Sequence, residues 1–181
     1  NDEEDLSVCS IRYNNDLNGY KLDLKEIECK VSDLQGDLVY LLLHMAVCSP
    51  CCKMFRKRLI DKYNLRFNED VKSGEDMLFV YDYFASGLNK LKTINTTFYQ
   101  YNINPLSLSH RLVHFNESAY ICEAIKQKIN IIEAKYSYDC TDVKNELLCT
   151  QLHNMLRWIK SEQSLCCRIQ YYRKLLTLPA I

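Results

Sequence analysis

Glycine and proline are scarce, 4 and 3 in a chain of 181 residues. That excludes a collagen-like, low-complexity or linker-dominated polypeptide. No sign of charge prevails either, since Lys plus Arg and Asp plus Glu number 23 each. A chain that binds polyanions in bulk carries a basic surplus, so nucleic acid is not indicated, although a clustered patch can sit inside a neutral total. Long apolar runs are missing too. The longest stretch, Leu38 to Val47, is interrupted by His44 and is too short to span a bilayer. The opening Asn1-Asp2-Glu3-Glu4-Asp5 is acidic where a secretory signal would be basic. It runs straight into an apolar strand without a start methionine, which leads us to expect a piece of something longer. Tryptophan occurs once, whereas tyrosine occurs 13 times; such tyrosines serve core packing or line carbohydrate and peptide surfaces.

Cysteine, by contrast, is plentiful: ten residues, at 9, 29, 48, 51, 52, 122, 140, 149, 166 and 167. They lack the even spacing of a secreted disulfide framework, and several fall inside apolar periodic runs, where a thiol acts as a small hydrophobe. Cys48-Ser49-Pro50-Cys51 is formally a C-x-x-C. A redox site of that type needs a strand end opening into a helix, and here Cys52-Lys53-Met54-Phe55 continues as a strand. A structural zinc site needs a second pair, and Cys166-Cys167 has the wrong spacing. Reduced, buried thiols in a reducing cytoplasm are therefore expected.

The pattern divides near residue 110. Leu6 to Ile11 alternates and predicts a strand. Tyr13 to Asp33 is polar, with an Asn-Gly signal, and predicts an irregular loop or small hairpin. Ser32-Asp33 can cap a helix to about Val47, with Leu34, Leu38, Leu41, Leu42 and Met45 on one face. After Pro50 the expectations are a strand over Cys51–Phe55, a short helix over Arg58–Tyr63, and an extended Leu65-Arg66-Phe67. A helix follows, opened by Ser73-Gly74-Glu75-Asp76 and ended by Gly87. Two β-rich runs come next, Lys92–Ile94 and Thr97–Tyr101, and then a turn over Asn104-Pro105. From Leu112 onward apolar residues recur every three or four positions. The first helical stripe is Leu112, Phe115, Ala119, Cys122, Ile125, Ile129 and Ile132. A second runs through Val143, Leu147, Leu152, Met155 and Ile159, and a third through Leu165, Ile169, Tyr172 and Leu176. The chain thus reads as a mixed α/β (α+β) part, 1–110, followed by a helical extension, 111–181. Ile125, Ile129 and Met155 are expected to be buried, partly against the α/β part.

Four segments carry a more specific signal: Ser49-Pro50-Cys51-Cys52-Lys53-Met54-Phe55-Arg56-Lys57; Arg66-Phe67-Asn68-Glu69; Gly74-Glu75-Asp76-Met77-Leu78-Phe79; and Phe98 to Ser109, with Tyr99-Gln100-Tyr101 and a serine-containing turn. In this order they resemble the acceptor-side half of family 2 glycosyltransferases of GT-A fold, over about residues 6–110. The resemblance implies a partial GT-A-like half-domain. It also implies transfer of a sugar from a nucleotide-diphosphate donor to a saccharide or lipid-linked acceptor, with a divalent cation (Mn or Mg) in the complete enzyme. Location in the cytoplasm, with association at the inner face of the membrane left open, goes with it. Two positions depart from the family, Cys51 where a large residue such as Trp is usual, and Asn102 where Arg is frequent. The family's Pro-x-Tyr-Asn, Asp-Asp-Gly-Ser and Asp-x-Asp strings do not occur in the chain. The donor-binding half is thus expected to lie outside it, and residues 1–181 alone to be inactive.

Inverting glycosyl transfer needs a base to take the acceptor hydroxyl proton as its oxygen attacks the anomeric carbon. Glu75 and Asp76 open a helix, where the macrodipole favours the ionised form and a dry site pushes the pKa back up. Neighbours on a helix point roughly 100° apart, so the two acids take different tasks. The resemblance assigns the base to Asp76 and an orienting role to Glu75; acids in a first turn also serve as simple caps. Tyr99 and Tyr101 face the same way on a strand and can stack on a sugar or pack in the core. Lys53 and Arg56 can face phosphate or form a solvated edge. His110 matches a position where some relatives hold the metal diphosphate. Two rivals remain: a helical interaction module with an α/β scaffold, and a thiol or zinc protein in which Cys48, Cys51 and Cys52 converge.

Overall fold

The computed structural model of the chain describes residues 4–14, 21–22, 24–34, 36, 41, 49–102 and 112–178. Its centre is β1 (Leu6–Asn14), which runs parallel to β5 (Lys90–Asn102) along one edge. The other edge of β1 is shared by two short antiparallel strands. β4 (Lys53–Phe55) pairs with Leu6–Val8, and β2 (Lys21–Leu22) pairs with Ile11 and Arg12. β3 (Ile27–Lys30) closes the far side of β5, antiparallel to it, giving the order β2-β1-β5-β3 with β4 beside β1.

Several expectations change here. Tyr13 and Asn14 extend β1, β2 folds back on it antiparallel as the small hairpin that was one of the two expectations for this stretch, and the stretch holds β3 as well. The two β-rich runs of the later segment are one strand. β5 carries Asn95, Thr96 and Phe98 as extra residues against Cys9–Ile11, so the register shifts while the ladder continues. The strand foreseen over Cys51–Phe55 starts only at Lys53, because Cys51 and Cys52 form a turn in which Cys52 has φ 57°. Val31–Asp33 is a 3-10 turn and not the cap of a helix. Most of the helix foreseen up to Val47 lies outside the described residues, but Leu34 and Leu41 from its apolar face are buried in the core.

Among the described residues five helices have bounds, in chain order: α1 (Lys57–Tyr63), α2 (Glu75–Gly87), α3 (Phe115–Tyr136), α4 (Thr141–Ser161) and α5 (Leu165–Thr177). α2 buries Leu78, Phe79, Val80, Tyr81, Tyr83 and Phe84, which point to every side of the helix. A helix apolar all round belongs in the middle of a domain. Here α2 packs against α3, and one apolar core joins Leu6, Val8 and Leu91 of the sheet to Ile121, Ile125, Ile129 and Ile132 of α3 and Val143 and Leu147 of α4. Each such side chain contributes roughly 1.5–3 kcal/mol on burial. The core therefore crosses residue 110 without a break in packing. Ile125 and Ile129 are buried in it as expected, and Met155 is buried in a second cluster with Phe115 and Ile159.

Polar contacts fix the α2–α3 pairing. The Lys128 ammonium meets Asp82 at 2.6 Å, and Tyr136 donates its hydroxyl to the Leu88 carbonyl at 2.9 Å. α3 begins at Phe115 and not at Leu112, with the His114 ring nitrogen accepting the Asn116 amide as its N-terminal cap. α5 reverses an expectation. Its stripe Leu165, Ile169, Tyr172, Leu176 is exposed, and Tyr171, Leu175 and Leu178 turn inward onto Phe115, Met155 and Ile159.

Candidate functional site

The start of α2 is set by Gly74. Its φ of 86° is left-handed, and a Cβ there would stand 3.2 Å from the Ile121 Cδ1 of α3. Glycine alone meets both conditions without strain. The chain can then turn sharply into Glu75 and Asp76, and no side chain caps the helix from Gly74 itself. Asp76 Oδ1 accepts the Met77 amide at 2.7 Å. Burial raises the Asp76 carboxyl above the ordinary carboxylate range. The Met77 amide opposes that rise, the adjacent Glu75 carboxylate adds to it, and the Lys53 ammonium lowers it again. Asp76 and Lys53, from α2 and β4, are thus electrostatic neighbours.

Lys53 is held by the turn that precedes it. Its Nζ donates to the carbonyls of Ser49 and, at 3.3 Å, Cys51. On the same side Tyr99 of β5 donates its hydroxyl to Cys51 Sγ at 3.2 Å. That bond to the thiol, together with burial, pushes the Tyr99 hydroxyl up to about 12, and burial pushes the Cys52 thiol up to about 11. Lys53, Cys52 and Tyr99 line a groove of about 320 Å³ on the sheet, together with Ser7, Cys9, Met54, Ile94 and Phe98. Met54 and Phe98 stand at 76% and 74% exposure, which makes them an apolar rim with no cover among the described residues.

Of the residues singled out in the sequence, Lys53 and Tyr99 come together in this groove. Asp76 is related to the group only by the charge of Lys53 and is not itself part of the groove lining. Glu75 occupies the first turn of α2 beside it, half-buried. Tyr101 packs against the main core. The Arg56 Nε donates to the Glu4 carbonyl at 2.9 Å and lies 3.5 Å from the Asp5 carboxylate. His110 and the serine turn lie outside the described residues, as does Cys48. Ser7, Cys9, Met54 and Phe98 were not singled out as site residues. For Ser7 and Cys9 the signal was the phase of alternation in β1, where Leu6, Val8 and Ser10 are buried and Ser7 and Cys9 are not.

Among the described residues no group of three or more His, Cys, Asp or Glu side chains could hold a metal ion, and no helix is long and apolar enough to cross a membrane. The described cysteines are free thiols. Cys52, Cys122 and Cys140 are buried as expected, but Cys149 and Cys166 are exposed on α4 and α5. A second, more open groove of about 450 Å³ lies where Asp70, Val71 and Lys72 meet the start of α3 at His114, Glu117 and Tyr120. It contains none of the residues singled out. Its walls bond to one another, with the Lys72 amide donating to Glu117 Oε1 at 2.8 Å.

No protein-family model matches the chain, and no curated protein matches it. Among solved structures it is similar to S. aureus TarS 1-349 in complex with UDP, at 18% identity and a TM-score of 0.46, over 72% of this chain and 37% of that one. It is similar also to S. aureus TarS 1-349 in complex with UDP-GlcNAc, at 17% identity and a TM-score of 0.49, over 93% of this chain and 49% of that one. The chain thus spans less than half the length of either.

Proposed function

We propose that the chain is the acceptor-side part of an inverting nucleotide-sugar glycosyltransferase of GT-A type, with Asp76 as the general base. The reading rests on the chain's own residues. Its carrying observation is the Asp76 carboxyl at the head of α2, with its pKa raised by burial and the Lys53 ammonium nearby. A carboxylate of raised pKa accepts a proton more readily than an ordinary one. Support comes also from the order of the four sequence segments around it, three of which form β4, the head of α2 and the outer half of β5.

On this reading an acceptor hydroxyl gives its proton to Asp76 while its oxygen bonds to the anomeric carbon and the nucleoside diphosphate departs from the opposite face. Glu75 orients, and the sheet groove with Lys53, Tyr99, Met54 and Phe98 receives the acceptor; tyrosine and phenylalanine faces suit a sugar ring or a lipid-linked chain. On this reading the donor pocket and its Mn or Mg ion belong to sequence outside residues 1–181. The test is a protein extended to include that sequence, incubated with nucleotide-sugars and saccharide acceptors. Release of nucleoside diphosphate in step with glycoside formation is expected. Absence of transfer from every common donor, in a protein that binds those donors, overturns the reading.

A further inference from the structure

α5 presents four apolar side chains outward: Leu165 at 65% exposure, Ile169 at 46%, Tyr172 at 42% and Leu176 at 86%. Their spacing is four, three, four, the seam of a coiled coil, in which apolar residues alternate between two positions of a seven-residue repeat. At roughly 100° per residue all four fall within a strip about 60° wide. The helix is already anchored on its other side, where Tyr171, Leu175 and Leu178 pack on Phe115, Met155 and Ile159. The seam is therefore preformed, and nothing among the described residues covers it.

The flanks say what covers it. Arg173, exposed, and Arg168, half-buried with its Nε turned away from solvent, stand about 70° to either side of the strip's centre, at the two positions that border a coiled-coil seam. Leu165–Thr177 contains no carboxylate, and the remaining cation, Lys174, lies on the far side over the Tyr171 ring at 4.9 Å. A second copy of the same helix is disfavoured. In a parallel pair Arg168 of one helix would face Arg173 of the other, five positions along, and in an antiparallel pair each arginine would face its own counterpart; like charges so placed repel. A lipid surface fits less well, because interfacial helices bury a broad apolar face and this strip is narrow. We infer that the outer face of α5 docks an amphipathic helix of a partner segment that carries leucine-like seam residues flanked by Glu or Asp. The arginines then set polarity and partner, and the four apolar residues supply the contact.

The probes are two fluorescein-labelled peptides of three heptads, with Leu at the seam and Glu at both flanks in one, Lys in the other. Anisotropy titration against the 181-residue chain is expected to show the Glu peptide binding about tenfold more tightly than the Lys peptide. Arg168→Glu with Arg173→Glu inverts that order while the circular dichroism of the chain stays unchanged. Should the double variant not fold, the contrast between the two peptides on the unsubstituted chain decides alone. Equal binding of both peptides, or binding of neither, overturns the inference. So does a chain that sediments as a dimer dissociated by Ile169→Asp, or one that floats with phosphatidylglycerol vesicles unless Ile169→Asp is introduced.

Discussion

The phenol of Tyr83 donates its proton to the main-chain carbonyl of Asp5, 78 positions away in sequence. The Tyr83 hydroxyl oxygen accepts the Arg56 amide at 3.0 Å, and that amide also reaches the Asp5 carbonyl at 3.1 Å. The Asp5 carboxylate in turn accepts the amides of Asn89 at 2.7 Å and Lys90 at 3.1 Å. One buried knot thus joins the start of β1, the end of β4, α2 and the start of β5, the elements that hold Lys53, Asp76 and Tyr99 in their relative places.

Tyr83→Phe tests how much that knot contributes. The ring keeps its packing and burial, so only the hydroxyl is lost, and the Arg56 amide retains one acceptor. Buried hydrogen bonds of this kind contribute about 1–2 kcal/mol. Urea denaturation should show an unfolding free energy lower by that amount, seen as a lower midpoint with an unchanged slope. A midpoint equal to that of the unsubstituted chain would mean the knot is incidental to stability.

Much of this architecture was legible from periodicity, and its failures have physical causes. α2 was located by Gly74 and its acidic first turn, and Ile125 and Ile129 by spacing. Asn95-Thr96 resembled a turn between two strands because a bulge and a turn use the same polar residues; only pairing with β1 distinguishes them. β3 is four residues whose alternation, Ile27 and Cys29 inward against Glu28 and Lys30 outward, is too short to stand out from loop. α5 carries apolar residues on two faces, and periodicity cannot say which one the rest of the chain will cover. The Asp76–Lys53 relation joins β4 to α2 across an intervening helix, so spacing offered no sign of it.

Gly74→Ala probes the entry to α2. Alanine pays for the left-handed φ of 86°, and its methyl meets Ile121 Cδ1 at 3.2 Å. The expected loss is about 1–2 kcal/mol in chemical denaturation. Ile121→Val, which can relieve the contact but not the backbone strain, should restore only part of it. Full restoration by Ile121→Val would show that the strain is negligible and the glycine is kept for space alone.

The cysteines separate by exposure and thiolate fraction. Burial pushes Cys52, Cys122 and Cys140 up to about 11, whereas Cys149 and Cys166 are exposed. With iodoacetamide near pH 8 under native conditions, peptide mapping should find Cys149 and Cys166 alkylated at least about a hundredfold faster than those three. Fast labelling of Cys52 would revive the reading of the 51–52 turn as a reactive thiol site.

Asp76→Asn decides the catalytic assignment, because activity and stability should move in opposite directions. Burial holds the Asp76 carboxyl above its unfolded value, so the folded chain binds that proton more tightly than the unfolded chain does. The stability this brings is present in full below the unfolded value and disappears as pH rises through the folded one. The asparagine variant has no such loss. Its melting temperature relative to the unsubstituted chain should therefore improve on going from about pH 3 to pH 7. In the complete transferase the same change removes the proton acceptor at nearly constant shape, and turnover should fall by about two to four powers of ten. Turnover of the unsubstituted enzyme should also rise with pH through the Asp76 value, above the ordinary carboxylate range. Glu75→Gln, which removes only an orienting group, should cost less. If Glu75→Gln is the more damaging change, the two roles exchange. If Asp76→Asn leaves turnover within about threefold, the carboxylate is no more than a cap on α2, holding the Met77 amide at 2.7 Å.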